Sequence, residues 1–153
     1  MKLLQLTSNK PESGFTLIEL LLVLAISGTI LIVGLNFYSR FYDNLQFKLW
    51  YHQFELDIIH LQKQTMLSPS YNMLYIRPTL HRYEIRSNPF DPPLIVRPIP
   101  EDWKVEVYSL SNPLSFTNSG IIRGPGTMSI KLKNRQYMIT FPLGKGRSYY
   151  SEY

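Results

Sequence analysis

SGFTLIELLLVLAISGTILIVGLNFY, residues 13–38, decides how the rest of the chain is read. The apolar segment starts abruptly after Gly14 and carries one charge, Glu19, five residues on. From Phe15 to Tyr38 there are 24 residues. At about 1.5 Å per helical residue they cover roughly 36 Å, enough to cross a hydrocarbon core of about 30 Å. An ionised carboxylate in such a segment costs at least a few kcal/mol, so it calls for a named partner.

Gly14, Phe15, Thr16, Leu17, Ile18 and Glu19 resemble the processing motif of the type IV pilin and pseudopilin family. The resemblance implies that a prepilin peptidase cuts after Gly14 and that the new terminus, Phe15, is N-methylated. It also implies that Glu19 guides assembly. The cut exposes an α-amine on Phe15, one helical turn from Glu19, where it can pair with Glu19 of a neighbouring subunit. A charge that is costly alone then acts as an assembly device.

The parts on either side fit that reading. Residues 1–14 form a polar leader that ends in glycine before the apolar stretch, with no small-residue cleavage site after it, unlike a secretory signal. Lys2 and Lys10 outweigh Glu12, which favours a cytoplasmic leader, and the resemblance implies the same topology, with everything after Tyr38 outside the membrane. Removing the leader lowers the formal charge from +5 to +4. A mildly basic outer domain suits solubility, and it also suits contact with DNA or anionic envelope polymers. With no cysteine, that domain must be held by packing alone, and the disulfide loop of many major pilins is excluded.

At 153 residues there is room for one domain plus the appended helix. No proline occurs between Phe15 and Ser68, so the helix is expected to continue past the membrane surface as an amphipathic stretch over 39–68. Phe47, Trp50, Tyr51, Phe54, Ile58 and Leu61 fall on one stripe, with Leu45, Leu49, Leu56 and Ile59 beside it. Asp43, Lys48, Gln53, Asp57, Gln62 and Lys63 are assigned to the solvated side. Ser27, Gly28 and Gly34 are small residues that allow close helix approach within the span.

Beyond Ser68 the chain holds ten of its eleven prolines and turns to alternating apolar and β-prone residues. Residues 69–153 therefore read as a β-rich globular domain. Strands are expected at Tyr71–Arg77, Leu80–Ser87, Trp103–Leu110, Thr127–Lys133 and Gln136–Phe141, with shorter ones at Leu94–Arg97 and Gly120–Arg123. The last two long strands read as a hairpin about Asn134-Arg135, and 88–93 and 97–100 read as proline-bearing loops. The fold class is α+β. That the long helix packs on a small antiparallel sheet is implied by the resemblance. Gly126-Thr127-Met128-Ser129-Ile130 and Gly144-Lys145-Gly146-Arg147 also look like the paired glycine elements of minor pseudopilins.

The sequence contains no Ser-His-Asp pattern and no paired-carboxylate motif, and the GKGR glycines lack the strand–loop–helix context of a nucleotide site. His52, Glu55 and His60 do not have the His-Glu-x-x-His spacing of a metal helix. The chain is therefore expected not to be an enzyme and to need no cofactor or metal. Lys145 and Arg147, with Tyr149, Tyr150 and Tyr153, form a basic and aromatic C-terminal cluster that is a candidate DNA contact. The competing reading is a frayed tail whose tyrosines cover the sheet. Lys131, Lys133 and Arg135 extend this basic surface if the hairpin pairing holds through its turn.

The short lysine-bearing leader, FTLIE, the missing disulfide and the small basic domain are similar to minor prepilins of Gram-positive competence operons. That resemblance implies a membrane-anchored, surface-assembled subunit required for uptake of external DNA. The implied partners are other major and minor pseudopilins, a prepilin peptidase, a platform protein and its ATPase. A minor pseudopilin of type II protein secretion and a DNA-binding or adhesive tip subunit are the alternatives.

Overall fold

The computed structural model describes residues 14–68, 71–133, 135–144 and 147–153, with the backbone alone over 33–40. One helix, α1 (Leu17–Leu67), takes up 51 residues. It contributes to two units, one ending at Tyr42 and the other comprising Asp43–Tyr153.

In the first unit the apolar side chains described between Leu17 and Ile32 are exposed along the helix. Among the described residues no helix is long and apolar enough to cross a membrane. The described side chains break off after Ile32 and resume at Phe41, which leaves 16 helical residues of the apolar run, and the remainder of the expected span over 15–38 lies outside the described side chains. The leader residues 1–13 likewise lie outside the described residues.

The second unit is built around the rest of α1. Phe47, Tyr51, Phe54, Ile58 and Leu61 are all buried, and Trp50 packs against the same core. Their 3.6-residue spacing gives one continuous face. Leu45, Leu49 and Leu56, beside the stripe, are exposed instead.

Two antiparallel sheets supply most of the strands. The first has the order β1 (Met73–Arg77), β2 (Arg82–Arg86), β3 (Ile95–Pro98), with a 3₁₀ turn at Pro78–Leu80 joining β1 to β2. The second has the order β4 (Trp103–Val107), β7 (Gly126–Leu132), β8 (Arg135–Phe141), β9 (Tyr149–Glu152). A short pair, β5 (Ser115–Phe116) and β6 (Ile122–Arg123), lies between β4 and β7 in the chain. Alternation places Leu74, Ile76, Tyr83 and Ile85 on the inner side of the first sheet, and Trp103, Ile130, Tyr137 and Ile139 on that of the second.

Aromatic contacts join helix to sheets. The Phe47 ring stacks on Tyr137 at 3.6 Å and 6°, and Phe54 meets Tyr83 edge-on at 5.1 Å. Trp50 lies edge-on to Trp103 at 5.7 Å and donates its indole N–H to the Pro98 carbonyl at 3.2 Å. Such pairs add roughly 0.5–1.5 kcal/mol each beyond their buried area.

The structure corrects the sequence reading in four places. Asp57, assigned to the solvated side, is buried because three side chains reach its carboxylate: Tyr83 Oη at 2.8 Å, Arg97 Nε at 3.0 Å and Gln53 Nε2 at 3.1 Å. Pro98, assigned to a loop, ends β3, where an edge position spares it the ladder bond it cannot donate. Tyr149–Glu152 is a strand paired with β8, not a frayed tail. The β7–β8 hairpin turns one residue earlier than expected, since Leu132 pairs with Arg135 and Lys133 takes φ 40°.

The loop after β4 also protects the edge of β1. Asn112 uses its amide like a neighbouring strand, accepting from Ile76 N–H at 2.9 Å and donating to Ile76 O at 2.8 Å. Leu74 and Leu114 exchange backbone bonds alongside it. An edge covered in this way is closed to strand addition.

Candidate functional site

The expected processing site lies at the start of α1. Gly14, Phe15 and Thr16 precede the helix, and Phe15 is 83% exposed. Among the described residues, a Cβ built on Gly14 meets nothing within 4 Å.

Thr16 and Glu19 form a capping box. The Thr16 hydroxyl accepts from Glu19 N–H at 3.4 Å, and Glu19 Oε2 accepts from both the Thr16 backbone N–H and its hydroxyl at 3.3 Å. This reciprocal pair satisfies donors that the first helical turn leaves unpaired. The sequence reading missed it, although Thr-x-x-Glu ahead of an apolar run is its signature. Only one carboxylate oxygen is used. Among the described residues Oε1 has no partner, so Glu19 can cap its own helix and still accept from another group.

The C-terminal cluster is described only in part. Lys145 lies outside the described residues, and Arg147 is exposed beside Ser148, whose buried hydroxyl shares a hydrogen bond of 3.0 Å with Tyr51. Tyr150 points inward, edge-on to Tyr51 at 4.7 Å and to Phe47 at 5.1 Å. Tyr149 and Tyr153 are exposed. Lys131 is opposite Gln136 and Arg135 is opposite Leu132, so the two basic residues stand on opposite faces of the sheet. Lys133 pairs with Asp43 at 3.3 Å and Arg135 with Glu152 at 2.7 Å.

His52 and His60 are exposed on α1, and no group of potential metal ligands occurs among the described residues. The ionisable groups that depart from their usual range belong to the core. Burial, and then the hydrogen bond to Asp57, pushes the Tyr83 hydroxyl well above the ordinary tyrosine range. Burial also raises Tyr51 and Tyr137. These groups hold the helix and the strands together.

Of the two glycine elements, the first has a visible cause. A Cβ on Gly126 would lie 2.4 Å from Ser109 C and Leu110 N, so the chain before β5 passes too close for any side chain. Nearby Gly124 adopts φ 69°, where L-residues are strained.

Residues 9–35 match the family described as the prokaryotic N-terminal methylation motif. The chain is 30% identical over 136 residues to the competence protein ComGD of Bacillus subtilis strain 168, covering 89% of this chain and 91% of that protein. This chain belongs to the ComGD family of type IV pilin-like proteins. Its fold matches the minor pseudopilin EpsH from the type 2 secretion system of Vibrio cholerae with a TM-score of 0.50, over 68% of this chain and 94% of that one. At 18% identity the second match concerns the fold alone. The ComGD-family chain is thus α+β and pilin-like, and it carries the methylation motif at the start of its long helix.

Proposed function

We propose that this protein is a minor pilin-like subunit of a competence filament, required for uptake of external DNA. The observation that carries the reading is the near full-length similarity to a competence protein. The motif at Gly14–Glu19 supplies the mechanism.

The precursor is held in the membrane by residues 15–38, with its leader in the cytoplasm and Asp43–Tyr153 outside. A prepilin peptidase cuts after Gly14 and the Phe15 amine is methylated. The open space around Gly14 among the described residues is compatible with recognition by an enzyme as the reason for the residue. During assembly, Oε1 of Glu19 accepts from the Phe15 amine of an adjacent pseudopilin while Oε2 keeps its bonds to Thr16. The exposed apolar face from Leu17 to Ile32 is covered by lipid and then by the helices of other subunits. A platform protein and a cytoplasmic ATPase drive the assembly.

The test is uptake of labelled DNA by cells lacking the chain, complemented with wild type or Glu19→Ala, with protein secretion followed in parallel. Uptake is expected to be lost in the deletion and in Glu19→Ala, with secretion intact. Normal uptake with failed secretion would transfer the chain to a protein-secretion filament.

A further inference from the structure

The outer face of the first sheet carries an arginine cluster that the core does not account for. Register puts Arg77 opposite Arg82 and Tyr75 opposite Glu84, with Arg86 two residues beyond Glu84 on the same face. Glu84 is fully buried beneath this cluster, 2.6 Å from Arg82 Nε and 2.7 Å from an Arg86 terminal nitrogen. Arg86 is fully committed, since it also donates to the Pro89 and Asp91 carbonyls at 3.3 and 2.9 Å. Arg77 is different. It is exposed, and among the described residues the one partner of its guanidinium is the Tyr75 ring, 5.2 Å below it.

Arg77 and Arg82 are therefore like charges placed directly across a ladder, an arrangement that costs stability. Among the described residues the one carboxylate in ion-pair reach of either is Glu84, which Arg86 shares. Three arginines face one carboxylate, and among the described residues the terminal nitrogens of Arg82, whose side chain is 40% exposed, have no acceptor. The pair is held ready rather than left loose: Tyr75 supports one guanidinium by cation–π attraction and Glu84 anchors the other.

We propose that Arg77 and Arg82 form a phosphate-binding surface for duplex DNA. The proposal rests on the reading of this chain as a DNA-uptake subunit and gives that function a contact site. Side chains opposed across a ladder are about 5 Å apart at Cβ, and successive phosphates of one DNA strand rise ~3.4 Å along the axis. Two neighbouring phosphates therefore reach both guanidiniums at once, whereas the carboxylates of a protein segment are sparser. Contact is with the backbone, so it is independent of sequence and sensitive to salt.

The experiment measures binding of a fluorescent DNA duplex to the full chain in neutral detergent micelles across a range of salt. Loss of one phosphate contact lowers the slope of log affinity against log salt by about 0.9, which is about fivefold in affinity near 0.15 M salt. Arg77→Gln is expected to show that loss, and Arg77→Lys to restore most of the affinity. Arg77→Glu is expected to weaken binding further, by roughly thirtyfold for a change of two charges, without lowering Tm, because its carboxylate faces Arg82. Unchanged affinity in folded Arg77→Glu overturns the proposal. So does displacement of the duplex by polyglutamate or poly(glycerol phosphate) at equal charge, which would assign the face to acidic proteins or wall polymers. Cells separate this failure from failure of the functional reading. Full DNA uptake by the Arg77→Glu strain, where the deletion strain takes up none, overturns the surface alone. Normal uptake by the deletion strain overturns the function.

Discussion

Asp57 joins the helix to the first sheet, and replacing it with alanine measures that junction. The substitution leaves the Tyr83 hydroxyl, on a residue 1% exposed, without its 2.8 Å acceptor. An unsatisfied buried hydroxyl costs about 1–3 kcal/mol. The neutral bond from Gln53 adds about 1 kcal/mol. The Arg97 side chain is 41% exposed, so solvent screening holds its share to roughly 0–1 kcal/mol. Relief of the carboxylate's own desolvation offsets part of this sum. The expected loss for Asp57→Ala is about 2–4 kcal/mol, with Asp57→Asn about half of that because the amide oxygen still accepts from Tyr83. Trp50 and Trp103 sit together in the core, which makes tryptophan fluorescence during urea unfolding a direct assay. Tyr83→Phe in the Asp57→Ala background should cost little more, since the orphaned hydroxyl is gone. A loss below about 0.5 kcal/mol for Asp57→Ala, the range of ordinary surface changes, would refute the reasoning.

Alkaline pH should destabilise the fold. Tyr51, Tyr83 and Tyr137 have hydroxyls raised above the usual range, so the folded chain keeps protons that the unfolded chain releases near pH 10. Their contribution is complete below about pH 10 and declines above it, by up to about 1.4 kcal/mol per pH unit for each tyrosine. Urea midpoints measured on either side of pH 10 check this, and Tyr83→Phe should flatten the decline. Gly126→Ala should cost about 1–3 kcal/mol through overpacking against Ser109 and Leu110, and a wild-type urea midpoint would contradict the close approach.

The helical stripe was legible because Phe47, Tyr51, Phe54, Ile58 and Leu61 keep the helical period and all of them are buried. The long strands were legible because their side chains alternate. What escaped depends on partners distant in sequence or on single-residue register. Nothing local marks Asp57 as buried, because Tyr83 and Arg97 arrive from 26 and 40 residues away. Strand β9 has an exposed-to-intermediate pattern with no apolar alternation, and pairing with β8 creates it. Turning the hairpin one residue earlier makes Arg135 a strand residue paired with Leu132, and period-two alternation sets it on the face opposite Lys131. Arg135 therefore does not join Lys131 in the basic surface that the sequence suggested. The opposition of Arg77 and Arg82 became visible only with the β1–β2 register. By contrast, the Thr16–Glu19 capping box is local, and its Thr-x-x-Glu spacing stands in the sequence itself.

Mass spectrometry of the N-terminal peptide from chain recovered in sheared surface filaments tests the central claim most directly. An N-methylated terminus at Phe15 is expected. A chain that retains residues 1–14, or one cut beyond the apolar segment, would contradict the account of a processed pilin-like subunit.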